Sequence, residues 1–281
     1  MNPTILLCTD GSPAAEIATQ YAVWYAQALG GRLRALYVTD IRVLEGPLLA
    51  DLSGALGAQP YSALLPQIQQ LQIEKANTIL RAAQDRCGKQ QITCEAVHET
   101  GNLVSVILAA ERHADLVVLG QHGEHAPWHS DLLGSTVERL VRASTKPCLV
   151  TPDKFRAVRH LLLAYDDSAE STKALRAGLD LAVTLGAAVT IITVCLRESE
   201  DAASKFLQDA HRQALDRKLT AHAQLLHGNA ETEILSAAEK FSADLIVMGA
   251  YGHTRIRELI LGSTTSHVLR KANIPVLLMR G

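Results

Sequence analysis

The chain has 281 residues, of which 48% are apolar and 20% charged, and its formal net charge is −2 at pH 7. This length allows one large domain or two ordinary ones, and this charge excludes the basic field that nonspecific nucleic-acid binding requires. No window approaches the run of about 18 apolar residues that a membrane-spanning helix needs, and the first residues lack the pattern of a signal peptide. We therefore expect a cytoplasmic protein whose partners are a small molecule or another protein, and neither nucleic acid nor a membrane.

Short apolar runs alternate with helical patterns along the first half of the chain. The run TILLCT predicts a parallel strand that is buried on both faces. Apolar residues at helical spacing from Ile17 to Ala28 predict a helix that ends at Gly30 and Gly31. The later elements are a strand at 32–38, a helix at 63–86, a strand at 91–97, a helix at 101–113, a strand at 115–120, a helix at 134–144 and a strand at 147–151. Residues 41–67, rich in Gly and Pro, indicate a long loop that leads into the long helix.

The second half of the chain repeats the first. ILLCTDGS at 5–12 aligns with LLLAYDDS at 161–168, ADLVVLG at 114–120 with ADLIVMG at 243–249, and TKPCLVT at 145–151 with NIPVLLM at 273–279. Pro and mixed charges interrupt the pattern between the copies, which predicts two domains at 1–152 and 153–281. Each domain is predicted as α/β, with a doubly wound, mainly parallel five-stranded sheet and helices on both faces.

Sheets of this kind bind ligands outside the carboxyl ends of their strands. In the second copy the fourth strand is followed by GAYGHTRIRELILGS. Gly249 and Gly252 there allow close approach of the backbone to a ligand or a positive φ. Amides at the helix start marked by Gly262 and Ser263 can bind a phosphate.

Arg255 and Arg257 lie between these glycines and add positive charge to the same loop. The stretch matches neither a P-loop nor a GxGxxG dinucleotide motif. An ordinary strand-to-helix turn, with glycines as punctuation and Ser as an N-cap, is the alternative interpretation.

The spacing of these residues resembles the G-2x-G-9x-G-[S/T] nucleotide motif of the universal stress protein family. The tandem repeat, the aspartate after the first strand and the pattern of the last strand also fit that family. The resemblance implies that Asp166 lies beside the adenosine and that the backbone of Val194 meets the adenine. It also implies that phosphate and ribose are contacted by Gly249, Gly252, Gly262 and Ser263. For Asp166, an Asx turn that caps its own loop is an equally open interpretation.

The first copy departs from this motif. The stretch at 120–135 keeps the motif positions Gly120, Gly123, Gly134 and Ser135, and Asp10 matches the acidic position. However, ten residues separate its second and third glycines, and the stretch has no Lys or Arg. A phosphate there would meet Glu124 and Asp131 in place of guanidinium groups. We therefore expect the better nucleotide site in domain 2, with domain 1 modified or empty.

Histidines in the same stretch raise a separate hypothesis. His122, His125 and His129 could bind zinc, with Glu124 or Asp131 as a fourth ligand. Their spacing matches no standard zinc motif, and a proline between them interrupts any helix that would align them. A solvated surface loop is the alternative.

The five cysteines, Cys8, Cys87, Cys94, Cys148 and Cys195, are odd in number and lack CxxC spacing. Three of them lie in apolar runs, which favours reduced, buried thiols. A functional thiol stays open, because neighbours that lower a thiol pKa cannot be identified from sequence.

The resemblance implies a tandem universal stress protein that binds an adenine nucleotide, ATP with or without Mg²⁺, and regulates a stress response with an unidentified protein partner. No set of nucleophile, base and acid is visible, so at most slow ATP hydrolysis or autophosphorylation is predicted. The alternatives are a small-ligand or scaffold protein of the same fold, and a slow ATPase or phosphotransferase.

The resemblance also implies how the copies associate. Family dimers join at their last strands, so PCLVT and PVLLM are expected to pair antiparallel as an intramolecular pseudo-dimer. We also expect a long central helix from each copy to pack across this seam. A homodimer of the whole chain is a further hypothesis.

Overall fold

The computed structural model describes residues 2–41, 58–123, 134–250 and 262–280, with side chains described from Pro66 onward in the helix that begins at Ala58. We use domain 1 for the part of the chain that forms strands β1 to β5, and domain 2 for the part that forms β6 to β10. The elements of domain 1 are β1 (Thr4–Cys8), α1 (Pro13–Leu29), β2 (Arg32–Asp40), α2 (Ala58–Lys89), β3 (Cys94–Gly101), α3 (Leu103–Ala110), β4 (Leu116–Gly120), α4 (Ser135–Ala143) and β5 (Cys148–Thr151). Those of domain 2 are β6 (His160–Ala164), α5 (Ala169–Leu185), β7 (Ala188–Cys195), α6 (Glu200–Asp216), β8 (Ala221–His227), α7 (Ala230–Lys240), β9 (Leu245–Gly249), α8 (Ser263–Lys271) and β10 (Val276–Met279).

The ten strands form one sheet in the order β3-β2-β1-β4-β5-β10-β9-β6-β7-β8. Neighbouring strands within each domain are parallel. The domains join where β5 and β10 pair antiparallel, with Leu149 opposite Leu277. The doubly wound α/β prediction and the antiparallel pairing of the last strands are both confirmed.

Helices cover both faces of the sheet and bury two apolar clusters. Ile5 and Leu7 of β1 face the cluster under α1, α2, α5 and α6, while Leu6 faces the one under α3, α4, α7 and α8. All three side chains are 0% exposed. Burial on both faces explains why the strand reads as an unbroken apolar run.

Equivalent residues begin and end the first helix of each domain. Ser12 and Ser168 are N-caps whose hydroxyl oxygens accept from the amide of the third residue of the helix at 3.2 Å. Gly30 and Gly186 end the helices with φ of 62° and 61°, in the left-handed region that favours glycine. The predicted start and stop of α1 are confirmed.

The first helices, α1 and α5, contact each other across the seam between the domains. The central helices do not follow our expectation in the part of the chain that the structure describes: α2 packs on β2 and β3, and α6 on β7 and β8. These strands lie at the outer ends of the sheet, far from the seam. The expectation that the central helices cross the seam is therefore wrong, because the strand order carries them away from it.

The connection between the domains packs on α1. The Tyr21 hydroxyl donates to the Lys154 carbonyl at 3.3 Å and accepts from the Arg156 amide at 3.0 Å. The Phe155 ring lies 4.7 Å from the Tyr21 ring, centroid to centroid. Across the described residues, we find no helix that combines the length and the apolar character needed to cross a bilayer.

Candidate functional site

A crevice of about 180 Å³ opens in domain 2 at the carboxyl ends of β6, β7 and β9. It lies beside the point between β6 and β9 where the strand order reverses, which is where doubly wound sheets bind ligands. Its walls are Ala164, Tyr165, Asp166, Ser171, Ile192, Val194, Ala230, Ile234, Met248, Gly249, Gly262, Ser263, Thr264 and Thr265.

Several residues that the sequence predicted for this site are among those walls. They are Asp166, Val194, Gly249, Gly262 and Ser263. Gly252, Arg255 and Arg257 lie outside the described residues. The described part of the motif is therefore gathered around one crevice.

The first turn of α8 reaches the crevice without a cap from the side chains that the structure describes. Gly262 is the N-cap residue, with φ −56° and ψ 145°, and it has no side chain to accept from the amides behind it. The first bond within the helix runs from the Ser266 amide to the Gly262 carbonyl at 2.9 Å. The amides of Ser263 and Thr264 therefore precede the helical hydrogen bonding and, with the helix dipole, can bind an anion.

The start of α8 is fixed to the end of β9. The Thr265 hydroxyl donates to the Ala250 carbonyl at 3.0 Å, and the Ala250 amide donates to the Met279 carbonyl at 2.9 Å. Thr265 and Ala250 are both buried. These bonds hold the amides of the first turn in place before any ligand binds, which reduces the ordering cost of binding.

Asp166 both caps its own loop and borders the crevice. Its Oδ1 accepts from the Ser168 amide at 3.1 Å and from the Ser168 hydroxyl at 2.6 Å, and its amide donates to the Ser171 hydroxyl at 3.3 Å. The Asx turn is thus present. Because Asp166 also lines the crevice, the turn orients the carboxylate at the site.

Tyr165 and Asp167 brace this loop, and sequence reasoning missed both. Asp167 has φ 63°, which is uncommon for a residue other than glycine, and the Tyr165 hydroxyl donates to its Oδ1 at 2.8 Å. Burial, and then this hydrogen bond, raise the pKa of Tyr165, so its hydroxyl stays a donor at neutral pH. Gly11, at the equivalent place in domain 1, has φ 78°. The Gly-to-Asp difference between the two copies was the available signal.

Gly249 has a packing role in addition to its place beside the crevice. Its φ is not positive, and a Cβ there would lie 2.9 Å from the Ser171 amide nitrogen and 3.0 Å from Glu170 Cβ. Gly120 is alike, since a Cβ there would lie 3.1 Å from the backbone of Ala14. In both domains this glycine allows the first helix to pack against the fourth strand. Of the two roles predicted for Gly249, a positive φ is not found, and close approach to a ligand stays a prediction.

Domain 1 has larger side chains at two positions equivalent to crevice residues of domain 2. Ala164 corresponds to Cys8, and Ala230, the residue after the Asn229 N-cap, corresponds to Leu103 after the equivalent asparagine. Cys8 and Leu103 pack against the apolar cluster on that face of the sheet. Sequence reasoning missed this contrast, although alignment of the two copies places an alanine at the position of a leucine.

The predicted residues of domain 1 gather at the ends of β1 and β4. Asp10 Oδ1 accepts from the Ser12 amide at 2.9 Å, and a Cβ on Gly123 would lie 3.1 Å from Asp10 Oδ2. Gly134 is the N-cap of α4, which begins at Ser135, and no described side chain caps it. The backbone at Gly123 therefore lies close to the Asp10 carboxylate.

Of the three histidines in the zinc hypothesis, one lies within the described residues. His122 Nδ1 lies 3.4 Å from Asp153 Oδ1, and His125 and His129 lie outside the described residues. Among the residues that the structure describes, no three His, Cys, Asp or Glu side chains are arranged to hold a metal ion.

Comparison with known proteins identifies the family of this chain. The model of the universal stress protein family matches residues 1–152 and 157–280. The chain belongs to the universal stress protein family. Universal stress protein Slr1230 of Synechocystis is 38% identical over 286 residues, which cover 98% of this chain and 99% of that protein. Universal stress protein Rv1996 of Mycobacterium tuberculosis is 26% identical, over 99% of this chain and 95% of its own length.

A solved structure has the same tandem fold. The universal stress protein from Archaeoglobus fulgidus superposes with a TM-score of 0.74 at 22% identity, covering 99% of this chain and 96% of that one. The family resemblance and the tandem organisation predicted from the sequence are therefore confirmed.

Proposed function

We propose that this universal stress protein binds an adenine nucleotide, ATP above others, in the domain 2 crevice, and that binding regulates a stress response through a protein partner. The observation that carries the proposal is the first turn of α8, which no described side chain caps and whose Gly262, Ser263 and Thr264 line the crevice at the topological switch point. A helix start with unpaired amides is suited to a phosphate group.

In this proposal the phosphates bind at one end of the crevice. The amides of Ser263 and Thr264 and the Ser263 hydroxyl donate to phosphate oxygens. Gly252 lets the loop backbone approach, and Arg255 and Arg257 supply the charge that offsets the phosphates. Each hydrogen bond to a charged phosphate contributes about 1.5–3 kcal/mol.

The adenosine lies at the other end, where β7 extends beyond β6. The last residue of β7 that pairs with β6 is Ile192, opposite Ala164, and the Ile192 carbonyl accepts from the Tyr165 amide at 2.9 Å. Because alternate residues of a strand direct their backbone groups to the same side, the N–H and C=O of Val194 point to that side as well. They are suited to the donor and acceptor edge of adenine, and Asp166 accepts from a ribose hydroxyl.

Domain 1 is proposed to be modified or empty. Leu103 and Cys8 stand at the positions of Ala230 and Ala164, and their larger side chains would leave less room for a ligand there. Asp10, Gly120, Gly123, Gly134 and Ser135 form the corresponding surroundings there. The division of the chain into two domains between Pro152 and Asp153, and a homodimer of the whole chain, are also proposals.

Magnesium would reach the site with the nucleotide. Asp166 Oδ1 already accepts two hydrogen bonds from Ser168, and the described residues offer no cluster of metal-binding side chains. Phosphate oxygens and water would supply most of the ligands to Mg²⁺, as is usual for this ion.

Proline at position 263 removes the backbone N–H proposed to bind phosphate and is expected to leave helix α8 folded. Ser263 is the first residue of α8, where proline is tolerated, and the φ and ψ of Gly262 suit a residue before proline. Ser263→Pro removes both the amide N–H and the hydroxyl, and it should bind ATP about 10- to 150-fold more weakly than Ser263→Ala, as expected for one further lost hydrogen bond to a charged group. Ser263→Ala, which keeps the amide, should lose less. Ser135→Pro makes the same change in α4 and should leave ATP affinity unchanged.

Titration calorimetry of the full chain with ATP, ADP, AMP and adenosine, each with and without Mg²⁺, measures these effects. We expect one site per chain, weaker binding as phosphates are removed, and an unchanged adenosine affinity in Ser263→Pro. Wild-type ATP affinity in that variant would refute the phosphate assignment. The absence of binding by all four ligands would favour the scaffold alternative, and sustained hydrolysis the phosphotransferase one.

A further inference from the structure

The end of α2 and the start of β3 bring two cysteines together, away from the crevice. The Gln84 side-chain amide, one turn before Cys87 on the same helix face, donates to the Cys94 carbonyl at 3.3 Å. The Cys87 carbonyl accepts from the amides of Gln90 and Ile92, both at 3.0 Å. This hydrogen-bonded turn brings the end of α2 beside the start of β3, and Cys87 belongs to the apolar cluster against which Cys94 packs.

Domain 2 builds the same turn without sulfur. His211 contacts the Ala221 carbonyl at 3.2 Å, as Gln84 contacts that of Cys94. The Leu219 amide donates to the Ala214 carbonyl at 3.2 Å, and Lys218 has φ 61°, matching φ 57° at its domain 1 counterpart. Ala214 and Ala221 therefore occupy the places of Cys87 and Cys94. Because the fold forms this turn equally with two alanines, packing does not require the two thiols.

The thiols interact with each other and differ in accessibility. Cys87 is 0% exposed, whereas Cys94 is partly exposed. The hydrogen bond between the two side chains lowers the pKa of Cys94, and it raises that of Cys87 together with burial. Burial raises the pKa of Cys8, Cys148 and Cys195. Cys94 is thus the cysteine in which a reactive thiolate is favoured.

We propose that Cys87 and Cys94 are a redox-modification site, at which a two-electron oxidant of the peroxide class forms an intramolecular disulfide in domain 1. The Cys94 thiolate attacks one peroxide oxygen, the O–O bond breaks, and Cys94 becomes a sulfenic acid while the second oxygen leaves as hydroxide, which takes up the proton that Cys94 lost on ionising and becomes water. The Cys87 thiol then loses its proton and attacks the Cys94 sulfur. The S–S bond forms, and the sulfenic oxygen leaves with that proton as a second water.

The local frame favours this pair over a link to another chain. Cys87 is 0% exposed, so a second folded chain cannot contact its thiol. A short hydrogen-bonded connection holds Cys94 close to it in sequence and in space. The second attack is therefore intramolecular and competes well with further oxidation of Cys94.

Tryptic mapping tests the proposal, since Lys89 lies between the two cysteines. The folded full chain is treated with hydrogen peroxide, alkylated and digested without reduction. We expect the peptide 87–89 to be joined to the peptide 90–112, and a reductant to separate them. Near-UV circular dichroism before and after treatment verifies that the chain stays folded.

Variants distinguish this pair from general thiol oxidation. Cys94→Ala should abolish the link and leave Cys87 as a thiol at the same peroxide dose, while Cys195→Ala should leave the link unchanged. The double variant Cys87→Ala with Cys94→Ala reproduces the domain 2 turn and should fold normally, with a melting temperature that peroxide does not alter. Oxidation of Cys195 before Cys94, a link between chains, or a link that forms only in denaturant would overturn the proposal.

Discussion

Alanine at Gly249 and alanine at Gly262 should differ in their effect on stability, although both glycines belong to one sequence motif. A Cβ at Gly249 would lie 2.9 Å from the Ser171 amide nitrogen and 3.1 Å from the Glu170 carbonyl carbon. These are backbone atoms of α5 and cannot rotate away. Overpacking of this kind costs about 1–3 kcal/mol, which alanine offsets in part by restricting the unfolded chain.

Among the described residues, a Cβ at Gly262 meets only Thr265 Oγ1, at 3.7 Å, which is an ordinary contact. Alanine is a poorer N-cap residue than glycine, but it also lowers the entropy of the unfolded chain, and the two effects oppose each other. We expect the free energy of unfolding to change by about 0.5 kcal/mol or less in Gly262→Ala.

Thermal and urea unfolding of both variants measure this difference. Gly249→Ala should melt several degrees below the wild type, about 2–4 °C for each kcal/mol lost in a domain of this size. Gly120→Ala, with backbone atoms of Ala14 at 3.1 Å, is the matched variant in domain 1 and should behave in the same way. If Gly249→Ala melted with the wild type, or no lower than Gly262→Ala, the packing role assigned to Gly249 would be refuted.

Further predictions concern the crevice, a buried carboxylate and alkaline pH. Ala230→Leu copies the Leu103 wall of domain 1 and should weaken ATP binding by about tenfold or more in calorimetry, with little change in melting temperature. Glu111 is 3% exposed and accepts from the Thr145 amide at 2.9 Å and from two hydroxyls. In urea unfolding, Glu111→Ala should lower the free energy of unfolding by about 3 kcal/mol, because it leaves these buried donors without their acceptor. The control Glu99→Ala, at an exposed glutamate, should lower it by about 0.5 kcal/mol or less. Burial raises the pKa of Tyr25 from 10.0 to about 12. The contribution of neutral Tyr25 to the free energy of unfolding is therefore complete below pH 10 and is lost as the pH rises toward 12, by up to about 1.4 kcal/mol per pH unit. In urea unfolding at different pH values, Tyr25→Phe should flatten that decline.

Local signals accounted for much of the fold. The unbroken apolar run at β1 predicted a strand buried on both faces, and Ser12 and Gly30 marked the ends of α1 because caps and left-handed turns depend on few neighbours. The internal repeat then extended each prediction to the second domain. Pairing of β5 with β10 was implied by the family resemblance and is present.

Features that depend on distant parts of the chain were harder to predict. The need for glycine at position 249 comes from the backbone of α5, about 80 residues earlier. Sequence alone did not show which of Ala230 and Leu103 borders an open crevice, since that depends on how each helix lies over its strands. Asp167 combines a positive φ with a hydrogen bond from the Tyr165 hydroxyl, a contact that a turn pattern does not predict.

The proposal depends most on the amides at the start of α8, and a crystal structure of the full chain grown with saturating ATP tests them most directly. We predict density for the nucleotide in the domain 2 crevice, with phosphate oxygens within hydrogen-bonding distance of the Ser263 and Thr264 amides and the adenine edge beside Val194. A nucleotide bound elsewhere, or a domain 2 crevice without density at saturating ATP, would contradict the account.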